Sequence, residues 1–314
     1  MNGRPLVAVT GASGFLGAHV VVALAAAGAG IRVLAHRRPP HPLWQNLPVE
    51  FFSGSVTDPA ACARFAAGTD AVIHAAGLIK AVRDPAFTEV NVQGTANLAQ
   101  AVRDAVDCRL VLISSLAART PQLSAYAASK SAGERAAQTT LSGAPGNLVI
   151  LRPPALYGPW DRECLALFKA ASRRVAPVSG NGRFTLMHVQ DAANAIAQVA
   201  LNPAIAGRYD LAGPSQASAT AREIIAAAAQ SVGANPWLIP VPAPLLLAAG
   251  TFAGGWARLR GKAAIFNAGK ARELLHPDGS VAEEVLPSTI FQPEVNLRQG
   301  FRGTADWYKA AGWL

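Results

Sequence analysis

The segment Thr10-Gly11-Ala12-Ser13-Gly14-Phe15-Leu16-Gly17 directly follows the apolar run 6–9 and leads into a helical stretch over 15–27. Three glycines so placed between a strand and a helix leave few folds open. Gly11 permits the tight turn, Gly14 lets the backbone approach a pyrophosphate, and Gly17 lets the helix pack close to the strand. The helix N-terminus adds free N–H groups and the positive end of its dipole. Ser13, Phe15 and Leu16 belong to the same loop and are expected at the same ligand. The spacing is GxxGxxG rather than GxGxxG, and its weight comes from the strand–loop–helix setting.

The alternation continues. Residues 31–35, 49–52, 71–74, 110–114 and 148–151 read as strands, and 59–67, 88–105 and 125–141 as helices, with the capping-type Asp58 ahead of the first of these. Strands that are apolar throughout and separated by helices describe a parallel sheet covered on both faces. The expected class is α/β, a doubly wound Rossmann sheet. After Arg152 proline and glycine become frequent, and helical segments (165–174, 191–201, 221–232) alternate with short extended pieces (209–212, 238–241). The expected division is a nucleotide-binding domain over 1–160 with 184–200, and a smaller C-terminal α/β substrate-binding part over 161–183 and 201–314.

Composition narrows the partners. With 314 residues, 51% hydrophobic and 15% charged, the chain can bury a sizeable core and is not largely disordered. The net charge is +9, but no block of five like charges occurs, so a nucleic-acid partner is not expected. The charge reads either as a compositional bias or as a field that attracts an anionic cofactor, substrate or membrane face. Cys62, Cys108 and Cys164 stand far apart without CxxC or His partners, which argues against a disulfide framework and a metal site. No signal-peptide pattern precedes the first strand, and the apolar run 245–257 is too short to span a bilayer. The expectation is a cytoplasmic protein, soluble or peripheral to the inner face of a membrane.

Two further motifs carry chemistry. A site that prefers NAD(H) usually places an acid at the end of the second strand; this chain reads Leu34-Ala35-His36-Arg37-Arg38 there. Arg can grip a 2′-phosphate with two parallel hydrogen bonds, so His36 and Arg37 point to NADP(H), with NAD(H) as the alternative. The second motif is Tyr126-Ala127-Ala128-Ser129-Lys130, preceded by Ser114-Ser115 at a strand end. Tyr126 and Lys130 lie one helical turn apart on one face. A phenol titrates near 10, so acting at neutral pH it needs a nearby positive charge, which Lys130 can supply. The Ser115 hydroxyl can polarise a carbonyl or alcohol oxygen.

These residues resemble the extended short-chain dehydrogenase/reductase superfamily, also called the NAD-dependent epimerase/dehydratase family, over nearly the whole chain. The loop at 10–17 resembles its phosphate loop, and Gly54-Ser55-Val56-Thr57-Asp58 its adenine-contacting segment. His74-Ala75-Ala76-Gly77 resembles its cofactor-side strand end, residues 89–95 the helix with a structural Asn, and residues 152–159 the segment lining the nicotinamide. The resemblance implies cofactor contacts at Ser55, Val56, Ala75, Ala76, Gly77, Lys130, Pro153 and Leu156. It also implies that Ser115 polarises the substrate oxygen, Tyr126 transfers the proton and Lys130 lowers the Tyr126 pKa. Three departures stand out: Ser55 replaces a common acid, only ten residues separate Ser115 from Tyr126, and Leu116-Ala117 replaces the Asp–Glu pair of sugar dehydratases. Without that pair water elimination is not expected.

The expected activity is interconversion of a ketone and a secondary alcohol on a lipid-like substrate of the sterol or sphingolipid kind. A nucleotide-sugar epimerase or reductase is the alternative, and a non-catalytic nucleotide-binding scaffold a third reading. Lys80 and Arg183 are candidate substrate contacts, while His74 and His188 are expected to be structural. The stretch 240–262 is apolar and ends in Arg258, Arg260 and Lys262. It is expected as a core helix with a basic C-terminus that complements the dipole; the alternative is a surface that touches anionic lipid. A homodimer is a further expectation with no residues assigned.

Overall fold

Residues rich in Val, Ile and Leu and apolar on both faces dictate where the central strands lie, since such strands must be covered on both sides. The computed structural model describes residues 4–35, 41–281 and 284–314. The first half runs β1 (Leu6–Thr10), α1 (Phe15–Ala26), β2 (Gly30–Ala35), β3 (Glu50–Ser53), α2 (Pro59–Ala66), β4 (Ala71–His74), the single turn α3 (Pro85–Phe87), α4 (Gly94–Asp104), β5 (Arg109–Ile113), α5 (Ala125–Thr140) and β6 (Leu148–Arg152). It continues through β7 (Ala155–Tyr157), α6 (Leu165–Ala171), β8 (Val175–Ser179), β9 (Arg183–His188), α7 (Val189–Leu201), β10 (Gly207–Asp210), β11 (Ser218–Thr220) and α8 (Ala221–Val232). The last elements are β12 (Trp237–Val241), α9 (Ala243–Leu259), α10 (Ala268–Leu275), β13 (Asp278–Gly279) and α11 (Leu297–Ala310).

Seven parallel strands form the main sheet in the order β10-β6-β5-β4-β1-β2-β3. Period-two alternation sorts their side chains. Val7, Val9, Val111 and Ile113 face one side and pack with Val20 and Leu24 of α1 and Ile196 and Val199 of α7. Ala8, Leu110 and Leu112 face the other and pack with Phe65 of α2 and Leu98 and Val102 of α4. Asp58 caps α2 as its residue type suggests, accepting from the backbone N–H groups of Ala60 (2.9 Å) and Ala61 (3.3 Å). A third core, built from Tyr157, Phe168, Ile225, Phe301 and Tyr308, holds the smaller part together. That part carries two small sheets, one joining β7, β9, β11 and β13, the other pairing β8 with β12.

Three features differ from the sequence reading. Residues 207–210, expected in the substrate part, form the edge strand β10 of the nucleotide sheet, pairing Tyr209 with Leu151 of β6. The helix expected over 88–105 begins with a π-helical turn, Thr88–Gln93, before α4. Gly133 of α5 presses against it so closely that a Cβ there would stand 2.6 Å from the Asn91 carbonyl oxygen. Finally, α9 is not a core helix. Among its residues only Gly250 is buried, because the small residues face inward: a Cβ on Gly250 would meet Asn267 at 2.8 Å and Ala271 at 3.0 Å. Leu245, Phe252, Trp256 and Leu259 face outward, while Leu246 and Leu247 are half-buried.

His74, the last residue of β4, is structural as expected. Its Nδ1 lies 2.8 Å from Thr10 Oγ1 and its Nε2 3.2 Å from Thr95 Oγ1, tying β4 to β1 and α4. Thr95 donates its own proton to the Asn91 carbonyl (2.8 Å), so Nε2 must be the donor and Nδ1 accepts from Thr10. Burial, and secondarily the charge of Lys130, holds the His74 pKa down at about 3. The folded pKa thus lies below the unfolded value of 6.5. Its contribution to stability is complete above pH 6.5 and is lost as pH falls towards the folded pKa. Urea unfolding should show a loss approaching about 1.4 kcal/mol per pH unit below that point from this group alone. In His74→Gln the slope above the range where carboxylates titrate should shrink; an unchanged slope would remove His74 from this role.

Candidate active site

The glycine loop is held by backbone contacts that no side chain could share. Gly11 adopts φ +71°, and a Cβ on it would stand 2.6 Å from the Ala76 nitrogen and 2.7 Å from the Ala75 carbonyl carbon. A Cβ on Gly17 would stand 2.1 Å from the Gly11 carbonyl oxygen. Gly14 donates its N–H to that same oxygen at 2.9 Å and forms the N-cap of α1 with no side-chain cap. Ser13 and Gly14 are exposed, and Phe15 and Leu16 half-buried. The first-turn N–H groups of α1 are therefore available to an anion. Trp44, buried in the segment after β2, donates its indole N–H to the Ala12 carbonyl at 3.0 Å and fixes the loop from behind.

The walls beyond the loop fit a dinucleotide. Ser55 is half-buried, its hydroxyl 2.8 Å from that of Thr57. Val56 is buried: its side chain lies under Gly94 and its carbonyl accepts from Asn97 at 2.9 Å. Ala75 and Ala76 are half-buried and Gly77 is exposed. Asn91 clamps the next turn, accepting from the Leu78 N–H at 2.7 Å and donating to the Leu78 carbonyl (2.9 Å) and the Ser129 hydroxyl (2.9 Å). Gly77 stands beside both Asn91 and Lys130: a Cβ on it would lie 3.2 Å from Asn91 Oδ1 and 3.7 Å from Lys130 Nζ. Pro153 accepts at its carbonyl from the Leu116 N–H (3.0 Å), joining the segment that leads to the half-buried Leu156 to the Ser115 turn. His36 and Arg37 lie outside the described residues.

Ser115 follows β5 and caps a short 3-10 turn, accepting from the Ala117 N–H at 3.2 Å. Ser124 caps α5, accepting from the Ala127 N–H at 3.0 Å, which sets Tyr126 in the first turn. The Ser115 side chain lies within electrostatic reach of the Tyr126 hydroxyl. Contrary to the expectation that Lys130 lowers it, the Tyr126 pKa stands above the ordinary phenol value: burial raises it, Ser115 opposes this, and the Glu273 carboxylate adds to the rise. Lys130, one turn on, donates to the Ile113 carbonyl at 2.6 Å. Burial lowers its pKa to about 8, with Glu134 acting the other way.

Two acidic residues were not singled out from sequence. Glu134, four residues after Lys130, is 3% exposed and forms a two-pronged ion pair with Arg152 of β6, at 2.8 and 2.6 Å. It also accepts from the Ser114 hydroxyl at 2.5 Å, next to Ser115. The signal was available as an acid one turn beyond Lys130 together with an Arg ending an apolar strand. Glu273 of α10 accepts from Ser124 at 2.5 Å and pairs with Lys270 at 3.1 Å. Its place beside Tyr126 depends on a tertiary contact that sequence does not display.

The two candidate substrate residues are engaged elsewhere. Lys80 pairs with Glu163 at 3.2 Å. Arg183 opens β9, donates to the Ser218 hydroxyl (3.0 Å) and carbonyl, and stands 3.9 Å from Glu223. His188, at the other end of β9, is about 16 Å further along the strand at the usual rise per residue. It accepts at Nδ1 from the Gln190 N–H (3.3 Å) and packs its ring edge-on against Tyr157. The structure thus joins Ser115, Tyr126 and Lys130 and leaves Arg183 at the β9–β11 pairing.

A glycine loop at a helix N-terminus, with a Ser–Tyr–Lys group beside it, defines an NAD(P)-dependent oxidoreductase of the short-chain dehydrogenase/reductase type. A family model described as NAD dependent epimerase/dehydratase family matches residues 7–212, and the chain belongs to that family. It is 44% identical over 315 residues to the ceramide reductase of Caulobacter vibrioides, covering 100% of this chain and 97% of that protein. It is 34% identical over 117 residues to the 3 beta-hydroxysteroid dehydrogenase/Delta 5-->4-isomerase of Mycobacterium tuberculosis, covering 35% of this chain and 31% of that protein. Its fold matches the UDP-glucose 4-epimerase of Thermus thermophilus in complex with NAD, with TM-score 0.70, 24% identity and coverage of 98% and 99% of the two chains.

Glu134→Gln should expose the role of the buried pair. Leaving Arg152 without its counter-charge should destabilise the fold by about 3–5 kcal/mol in urea unfolding. Loss of the Glu134 field should also let Lys130 give up its proton more readily. An alkaline fall in activity, expected near pH 8 in the wild type from the Lys130 pKa, should then move to lower pH. A variant with unchanged stability and pH profile would remove Glu134 from both roles.

Proposed function

We propose that the protein is an NADP(H)-dependent reductase that converts the ketone of a keto-lipid, of the sphingolipid or sterol kind, to a secondary alcohol. The observation that carries the chemistry is the juxtaposition of the Ser115 and Tyr126 side chains, with Lys130 one helical turn on. The full-length likeness to a ceramide reductase supports the substrate class. The absence of an acid after β2, where His36 and Arg37 stand, supports NADP(H).

When bound, the reduced nicotinamide supplies the hydride. Ser115 and Tyr126 donate hydrogen bonds to the substrate oxygen, which draws charge onto that oxygen as the carbon is reduced. The Tyr126 pKa lies above the ordinary phenol value, so the hydroxyl is protonated at neutral pH and suits a proton donor to a developing alkoxide. Lys130 stabilises the phenolate that remains and presents its ammonium group to the cofactor ribose beside Gly77. Asn91 and Ser129 hold the Leu78 turn against α5, which keeps that ribose site open.

The test is a panel of keto-lipids and nucleotide sugars assayed in detergent micelles with NADPH and with NADH. Keto-lipid turnover with NADPH is expected, falling about 10²–10⁴-fold in Tyr126→Phe while NADPH affinity is preserved. Replacing His36 and Arg37 by Ala should weaken NADPH about 10–100-fold and spare NADH, through loss of charge-assisted bonds to the 2′-phosphate. Turnover of a nucleotide sugar alone, or wild-type preference for NADH, would overturn the corresponding part.

A further inference from the structure

The outward face of α9 departs from that of an ordinary water-soluble helix. Leu245, Phe252, Trp256 and Leu259 recur at i, i+7, i+11 and i+14, a spacing that puts them in one stripe. They are 61%, 74%, 50% and 84% exposed. The opposite side carries Gly250 and Gly254, whose missing side chains let α9 lie directly on Asn267 and Ala271. Packing has therefore put Gly250 and Gly254 inside and these four large apolar side chains outside. A contiguous apolar patch on a helix marks an interaction site.

Charge identifies the occupant. No Asp or Glu occurs between Glu223 and Glu273, a stretch that holds Arg258, Arg260, Lys262, Lys270 and Arg272. The Arg260 guanidinium sits 4.5 Å over the Trp256 ring, and Lys262 is exposed just beyond. Aromatic rings level with cationic groups at the rim of an apolar stripe match the boundary between acyl chains and anionic headgroups. Among the described residues no helix is long and apolar enough to cross a membrane, so the contact is one of lying on the surface.

The other side of the helix adjoins the catalytic group. Arg258 pairs with Asp84 at 3.1 Å, Asp84 precedes the turn α3, and the Phe87 ring of that turn lies 6.4 Å from the Tyr126 ring. Likewise α10, which packs on α9, supplies Glu273 to Ser124.

We propose that the α9 stripe Leu245–Phe252–Trp256–Leu259, with Arg260 and Lys262 at its rim, docks the enzyme on the surface of an anionic phospholipid bilayer. There it opens the Tyr126 cleft towards the bilayer; this last step rests on the keto-lipid reading above, whereas the docking does not.

The test uses the full chain without substrate, sedimented with vesicles of phosphatidylcholine alone or mixed with phosphatidylglycerol. Binding to the mixed vesicles is expected, with little to phosphatidylcholine. Phe252→Glu with Trp256→Glu should weaken it at least about 10-fold, through lost apolar burial. Arg260→Glu with Lys262→Glu, two exposed positions of which Arg260 rests on the Trp256 ring, should weaken it at least about 10-fold on anionic vesicles only. Circular dichroism and turnover in detergent micelles should be unchanged in both variants. Absent wild-type binding, or binding indifferent to both pairs, would overturn the proposal. So would a finding by light scattering that the apolar pair merely converts a dimer to a monomer. Failure to reduce any keto-lipid in micelles would count against the substrate reading alone, since vesicle binding is scored without it.

Discussion

The close approach of backbone to backbone at the glycine loop is the constraint on which the rest of the structure depends. Gly17 lies on the Gly11 carbonyl and Gly11 on the Ala75–Ala76 peptide, so β1, α1 and the end of β4 meet at one point. Any side chain at either glycine would force them apart. The same contact leaves the first turn of α1 uncapped and facing the cleft, where a pyrophosphate needs N–H donors. It also fixes the height of the β4 end, and with it Gly77, over Lys130. Trp44 reinforces the arrangement through its bond to Ala12.

A second constraint lies beneath the reacting groups. Glu134 and Arg152 bring opposite charges out of water between α5 and β6, and Ser114 occupies a further acceptor site of the carboxylate. A buried pair of this kind adds little net stability over an apolar replacement, yet breaking it is costly. What it provides is position: it ties the helix carrying Tyr126 and Lys130 to the strand end carrying Ser115. Its negative charge also offsets part of the burial that draws protons off Lys130. Folding and chemistry are thus coupled through one carboxylate.

Much of this was legible in sequence. The strand–loop–helix at 6–26, the apolar strands of the main sheet and the Ser115, Tyr126 and Lys130 spacing all express local rules of period and turn chemistry. What was not legible depends on tertiary choice. The apolar stretch of α9 reads as core because hydrophobicity alone does not say which side faces in; only the match of Gly250 and Gly254 to Asn267 and Ala271 decides it. Strand β10 is four residues long and gains its place from pairing with β6. Arg183 suits an anion by residue type, but the strand pairing of β9 and β11 takes up its guanidinium. The contact of Glu273 with Ser124 joins groups 149 residues apart.

The central claim is that Ser115, Tyr126 and Lys130 serve a net reduction of a lipid ketone. The most direct test is to supply NADPH deuterated at the transferable position of the nicotinamide together with a keto-lipid, and to locate the label by mass spectrometry. Deuterium is expected on the carbinol carbon of the product lipid, with oxidised cofactor formed in equal amount. Product that forms without deuterium and without consumption of the cofactor, as in an epimerisation that returns its own hydride, would contradict it.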